Sequence, residues 1–264
     1  MSTPSDIYQP EARIALFIDF ENIALGMKGG KKKAFEMAWV LDRLLEKGRI
    51  IVKRAYADWT RYAEFRENLH ESGIELIEIP KRSQAGKNSA DVRLVVDALD
   101  LCYTKEHLDT FVIFSGDSDF SPLVSKLKEN NKTTIGIGLT GSTSKLLADN
   151  CDEFLYYEDL APVKRPSGSG KGGARGSKLS KEKQEAFELL LDSIEALLRE
   201  NREILWSSAI KDTIKRKRPS FTESAFGYRT FSELLEDAAE NGYIQITRDD
   251  RSGGTYVVTE VRFP

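Results

Sequence analysis

Up to about residue 160 the chain alternates short apolar or two-periodic runs with stretches of helical spacing. Residues 13–18 (RIALFI), 50–57 (IIVKRAYA), 74–79 (IELIEI), 111–114 (FVIF), 134–139 (TIGIGL) and 153–157 read as strands. Residues 34–46, 61–71, 89–103 and 122–130 read as helices, with one more helix between the last two strands. Side chains change face at every residue of a strand and return every 3.6 residues in a helix, which is why the two patterns can be told apart. Regular alternation predicts an α/β domain: a mostly parallel sheet with helices on both faces. Such sheets bind ligands in the crevice beyond the carboxyl ends of their strands.

Residues 162–178 (PVKRPSGSGKGGARGSK) break this pattern. A segment so poor in apolar side chains cannot bury enough surface to offset its ordering entropy. It predicts a flexible basic linker between a domain at 1–161 and a second at 179–264. Its GSGKGG is not a phosphate-binding loop, because Arg165 stands where the first glycine of GxxxxGK[ST] belongs and Gly172 where Ser or Thr belongs. Beyond the linker, Ser180 is placed to cap a helix with an apolar stripe of Phe187, Leu190, Leu191, Ile194, Leu197 and Leu198. A second helix is expected over 208–217, ending before Pro219, and a third over 232–241, stopped by Gly242. YIQITR and TYVVT, joined by a glycine-containing turn, read as a hairpin. Three helices and a hairpin predict a small winged helix-turn-helix domain.

Composition narrows the chemistry. Cys102 and Cys151 are too few for a disulfide framework or a four-cysteine zinc site and are expected as small core residues. His70 and His107 stand in no HExxH or clustered pattern, which argues against zinc hydrolysis and a Ser-His-Asp triad. No apolar run approaches the roughly 18 residues of a membrane span. The opening MSTPSDIYQPEAR lacks the apolar core of a signal peptide, so a cytoplasmic setting without a membrane partner is expected. The net charge of −3 is unevenly spread. Residues 1–160 carry 21 basic and 26 acidic side chains, residues 161–180 carry 5 basic and none acidic, and residues 181–264 carry 13 and 16.

The candidate chemistry is acidic. Asp19 follows the first strand, Asp117 and Asp119 follow the fourth in SGDSDF, and Asp91 begins a helix just after a loop. The alternating fold opens both strand ends at one sheet edge, so three segments bring carboxylates together. Hard carboxylate oxygens without His or Cys suit Mg2+ or Mn2+. Without a cation, two like charges about 4 Å apart repel by on the order of 4 kcal/mol at an effective dielectric of 20. Either some carboxyls stay protonated or a cation is bound. A divalent ion can activate water and stabilise charge on a phosphoryl oxygen, which fits phosphodiester hydrolysis.

Each acid also has a plainer reading. An Asp after a strand commonly caps a helix or forms a turn, and Asp119 would do so for the helix that follows. Ser115 and Asn22 would then be ordinary turn residues. Asp97, six residues after Asp91, points about 120° away on a helix and reads as a supporting or surface residue. Phosphatases and Toprim-type enzymes also carry acids after strands. A haloacid dehalogenase signature, however, needs Asp where Glu21 stands, and a Toprim site needs Glu where Asp19 stands.

IALFIDFENI, KNSADVRLVVDAL and VIFSGDSDFSPLV, in this order over about residues 12–160, resemble the NYN domain, a LabA-like branch of the PIN-like nucleases. The resemblance implies a PIN-like fold, RNA cleavage and a divalent ion held by the motif aspartates. By motif position it implies Asp19 as the first-strand acid with Asn22 as its partner, Asp91 as the acid of the central helix, and Asp117 and Asp119 as the acids preceded by Ser115. Asp97 also matches a motif acid and is carried as supporting. Residues 179–258, through ILWSSAIKDTIKRKRPSF and FGYRTFSELLEDAAENGYIQI, resemble the OST-HTH or LOTUS domain. That likeness implies RNA binding, to G-rich RNA in some members, and protein partners in others. The combined expectation is a metal-dependent endoribonuclease with a C-terminal RNA-binding domain. The alternative is a non-catalytic RNA-binding adaptor that recruits proteins.

Lys211, Lys215, Arg216, Lys217 and Arg218 form a basic run that offers either an RNA surface or a solvated helix end favoured by the dipole. Lys164, Arg165, Lys171 and Arg175 in the linker offer phosphate contacts. Lys81, Arg82 and Lys87 lead into Asp91 and would let a phosphate approach the acids. Trp59, Tyr62 and Phe65 read either as a stacking surface for bases or as helix packing.

Overall fold

The computed structural model describes residues 11–28, 35–79, 89–161, 180–249 and 255–262. The chain divides into two units, Met1–Pro162 and Val163–Pro264. The expected linker at 162–178 lies outside the described residues, as do Lys81, Arg82 and Lys87.

The first unit runs β1 (Ala12–Asp19), α1 (Phe20–Lys28), α2 (Met37–Lys47), β2 (Gly48–Ala57), α3 (Ala63–Glu71), β3 (Glu75–Glu78), α4 (Ser89–Thr104), β4 (Thr110–Phe114), α5 (Ser121–Glu129), β5 (Thr133–Gly138), α6 (Lys145–Asn150) and β6 (Glu153–Tyr156). The six strands form one parallel sheet in the order β3-β2-β1-β4-β5-β6. The chain steps outward from β1 to β3, returns through α4, and steps outward the other way from β4. The reversal creates a switch point between β1 and β4, where sheets of this kind open a binding crevice.

Helices cover both faces, so β1 is buried almost throughout rather than on alternate residues. Ile14, Leu16 and Ile18 pack with Met37, Val40 and Leu44 of α2 and Leu69 of α3. Ala15 and Phe17 pack on the opposite face with Leu94 and Ala98 of α4 and Leu123, Val124 and Leu127 of α5. Helix α1 has no counterpart in the sequence reading. Its signal is there: Phe20, Ile23, Ala24 and Met27 recur at helical spacing, and the first three are buried. The helix follows the strand without a break, so its stripe merges into the apolar run of β1.

The second unit contains α7 (Lys181–Arg199), β7 (Leu205–Trp206), α8 (Ser207–Lys217), α9 (Phe231–Glu240), β8 (Ile244–Asp249) and β9 (Thr255–Val261). Its strands form an antiparallel sheet in the order β7-β9-β8. Ser180 caps α7, accepting from Lys183 N at 3.3 Å. Gly242 ends α9 with φ of +78°, a conformation that glycine adopts without steric cost. Phe187, Leu190, Leu191, Ile194 and Leu197 pack against Ile210, Ile214, Leu234 and Leu235. Leu198 departs from the expected stripe and is 44% exposed, because one further residue turns it about 100° off the buried face. β7 was not legible, since two residues pairing with Val257 and Val258 display no period.

Cys102 is buried and Cys151 half-buried, both as free thiols. No described helix is long and apolar enough to cross a membrane.

Candidate active site at the switch point of the sheet

Parallel pairing sets Ile18 beside Phe114, so the next residues, Asp19 and Ser115, leave the carboxyl edge together. Ser115 is fully buried and donates from Oγ to Oδ2 of Asp19 at 2.9 Å. The other carboxylate oxygen, Oδ1, accepts from Asn22 N at 3.2 Å in the first turn of α1. Asn22 reaches the other way through its side chain, with Oδ1 accepting from Gly116 N at 2.9 Å. Ser115 Oγ also accepts from Asp117 N at 3.2 Å. The turn after β1 and the loop after β4 are thus tied together by side chains of both. Gly116 sits where any Cβ would stand 2.6 Å from the Ser142 carbonyl oxygen, and its own carbonyl accepts from Ser144 N at 2.8 Å. Ser115 and Asn22 are therefore joined to the acids, beyond what a simple turn residue would do.

The helix-capping role assigned to Asp119 falls instead to Asp117. Asp117 Oδ1 accepts from Asp119 N at 3.0 Å and caps the 3-10 turn Ser118–Phe120 that leads into α5. Asp119 is exposed. Asp91 lies half-buried in the first turn of α4.

The acids act on one another electrostatically. Burial pushes the Asp19 carboxyl up to about 7, against the Ser115 hydrogen bond, and the charges of Asp91 and Asp117 add to the rise. Asp91 is pushed up to about 6, by burial first and then by Asp117, Asp119 and Glu21. Glu21 was missed as a member of this group. It sits in the first turn of α1 and accepts from Asp58 N at 3.1 Å through Oε1. Its position two residues past Asp19, at the start of a helix, was the available signal. Asp97 is engaged elsewhere: it accepts from Tyr56 Oη and from Arg93 Nε, each at 2.9 Å.

Trp59 and Tyr62 are buried, and with Phe65 they pack around Phe20 at ring-centroid distances of 5.2, 5.5 and 5.1 Å. The packing reading holds for them, and the base-stacking reading does not. In the second unit, the basic run is partly engaged. Lys211 lies 2.6 Å from Glu223, Arg218 lies 2.6 Å from Glu185, and Arg216 donates to Thr213 Oγ1 at 2.9 Å. Lys215 is exposed.

Among the described residues, no three His, Cys, Asp or Glu side chains are gathered closely enough to hold a metal ion. The donor chemistry at the switch point nonetheless fits one: its charged donors are all carboxylates, as Mg2+ and Mn2+ prefer. The upward shifts of Asp19 and Asp91 include repulsion from neighbouring carboxylates that a divalent cation would relieve.

Known proteins share features of this unit. Residues 13–158 match the NYN domain. An uncharacterized protein of Methanocaldococcus jannaschii is 32% identical over 145 residues, covering 55% of this chain and 55% of that protein. The chain thus spans about half the length of that relative. The crystal structure of a protein of unknown function from Vibrio parahaemolyticus aligns with a TM-score of 0.51 at 24% identity, covering 60% of this chain and 98% of that one. This last likeness is one of fold.

Proposed function

Since the chain belongs, through residues 13–158, to the NYN domain family within the PIN-like nuclease superfamily, we propose that it is a metal-dependent endoribonuclease acting at the switch point. The observation that carries this reading is the bond between Asp19 and Ser115 across β1 and β4, with Asp91 and Asp117 near enough to raise the Asp19 pKa. Asp19, Asp91, Asp117 and Asp119 would hold Mg2+ or Mn2+. Such an ion supplies positive charge for the phosphoryl oxygens and lowers the pKa of water.

The chain's own residues prepare the site before substrate arrives. Ser115 and the Asn22 amide fix Asp19 in one orientation. Asp117 is oriented by its cap on Asp119 N. The Asn22–Gly116 bond holds the two strand ends at one spacing. The cluster itself repels RNA phosphates, and Lys81, Arg82 and Lys87 would offset that charge. We read the second unit, with its three helices and hairpin, as an OST-HTH or LOTUS-like winged helix that holds RNA, with Lys211, Lys215, Arg216, Lys217 and Arg218 at the contact.

The test is incubation of the full chain and an Asp117→Asn variant with mixed-structure RNA in Mn2+, Mg2+ or chelator. Cleavage by wild type with a divalent ion, and none by the variant, is expected. Full cleavage in excess chelator would sink the metal mechanism.

The second reading is an RNA-binding adaptor without catalysis. RNA binding without cleavage under every divalent condition would decide for it.

A further inference from the structure

We propose that Tyr56, Asp97, Arg54 and Arg93 form a latch that fixes α4 along its own axis and so positions Asp91 against Asp19. The inference rests on reading the switch-point cluster as the active site, and it makes Asp97 a positioning residue rather than a metal ligand.

The path between the two acids is short and can be traced. Asp19 is paired with Tyr56 in the β1–β2 register. The Tyr56 ring is wholly buried, so its hydroxyl must find a partner inside the protein. That partner is Asp97 Oδ2 at 2.9 Å. Burial and the facing carboxylate hold the Tyr56 hydroxyl well above its usual pKa, which keeps it a donor. Asp97 lies on α4, six residues after Asp91. One strand pairing, one hydrogen bond and less than two helical turns therefore join Asp19 to Asp91.

Both carboxylate oxygens of Asp97 are occupied. Oδ1 takes Arg93 Nε at 2.9 Å, and Oδ2 has Arg54 Nη1 at 3.6 Å besides Tyr56. Arg54 is anchored in turn by Glu75 on β3, at 2.8 Å from its Nε. The network thus ties β3, β2 and α4 together. Apolar contact between α4 and the sheet is also made by buried Ala90, Leu94, Ala98, Leu101 and Cys102, with Val95 and Leu99 packed beside them. Apolar contacts of this kind attract without direction and resist sliding weakly, whereas a hydrogen bond has a preferred length and angle. Removing the Tyr56 hydroxyl leaves the apolar contact in place and removes the directional one.

The experiment uses the full chain with Tyr56→Phe, Asp97→Asn and Asp97→Ala. Mn2+ binding is measured by calorimetry, amide exchange of residues 93–98 is measured in chelator, and kcat and KM are measured on RNA. Tyr56→Phe should bind Mn2+ about tenfold more weakly, the scale seen when outer partners of metal ligands are removed. Its kcat should fall with KM for RNA unchanged, and its α4 amides should exchange faster without any metal. Asp97→Asn keeps an acceptor for Tyr56 and should fall between wild type and Asp97→Ala. If Asp97→Asn abolishes Mn2+ binding while Tyr56→Phe matches wild type, Asp97 is a ligand and the latch is wrong. Unchanged exchange in Tyr56→Phe also overturns it, whether or not wild type cuts RNA. A wild type that binds no Mn2+ and cuts no RNA would count against the active-site reading itself, and the exchange data would still decide the latch.

Discussion

The acids at the switch point of the first unit and those of the second unit are held in opposite ways. At the switch point Asp19 is pushed up to about 7 and Asp91 to about 6, by burial and by neighbouring acids. In the second unit burial also pushes Asp237 upward, but hydrogen bonds from Lys183 at 2.7 Å and Tyr228 at 2.6 Å outweigh it and hold the group below its usual range. Glu223 is likewise held down by its hydrogen bond with Lys211. The second unit supplies its own cations and turns charge into cohesion. The first leaves charge uncompensated where two strand ends meet, the pattern of a site built for a ligand rather than for stability.

The strongest way to break this contrast is to exchange the effects of the acids. Asp19→Asn or Asp117→Asn should lower divalent-dependent RNA cleavage by at least about a hundredfold, the scale of losing one preorganised stabilising group. Neither change should lower the melting temperature in chelator, because each removes a repelling charge. Asp237→Asn should do the reverse, leaving turnover at saturating RNA intact and costing about 1–3 kcal/mol of stability. Single-turnover kinetics and thermal melts on the same preparations would show either outcome.

The pH dependence should also have opposite signs. A carboxyl that titrates at about 7 when folded, against 3.8 unfolded, contributes stability that is complete below pH 3.8. That contribution is lost as pH rises through 7, and amounts to up to about 4 kcal/mol. Asp91 acts in the same direction. Asp237, held low, contributes stability above its unfolded pKa that is lost as pH falls through its folded value. In chelator, amide exchange of β1 should quicken from pH 5 to 8 after correction for intrinsic rates, and Asp19→Asn should flatten the trend. A flat wild-type profile would mean that the buried acid carries no such tension.

Mn2+ at a hundred times its dissociation constant should stabilise the first unit by about 2.7 kcal/mol, with chelator reversing the gain. The second unit should not respond. The smallest effect concerns the basic run. Changing Lys215, Arg216, Lys217 and Arg218 to Ala should weaken RNA binding most at low salt. Because Arg218 already pairs with Glu185 and Arg216 donates to Thr213, the salt slope should drop by less than the roughly 3 that four phosphate contacts on a single strand would give. An unchanged slope would make the run only a solvated helix end.

Most of the first unit was legible because each strand and helix keeps its own period. The candidate acids were legible because Asp19 directly follows one apolar run and Asp117 and Asp119 lie in the loop just after another, and the parallel register then brings Asp19 beside Ser115. What escaped depends on distance in space rather than in sequence. Glu21 is one residue in a helix hidden against the end of a strand. The Tyr56–Asp97 bond joins positions 41 residues apart, and no local pattern announces it. The ion pairs of Lys211 with Glu223 and Arg218 with Glu185 were invisible for the same reason, so the basic run looked freer than it is. Asp117 and Asp119 both fit a capping position by type, and only the backbone geometry chose between them.

The bond between Ser115 and Asp19 closes over 96 residues of chain. Strands β1, β2 and β3 can pair as they leave the ribosome, but half of the site is still being translated. Contacts across such separations come late, since the chain must pay the entropy of closure before it gains the pairing. Through that interval Asp19 is an ordinary acid on an incomplete sheet. The proposed site is therefore incomplete until β4 and the loop after it have emerged and paired with β1.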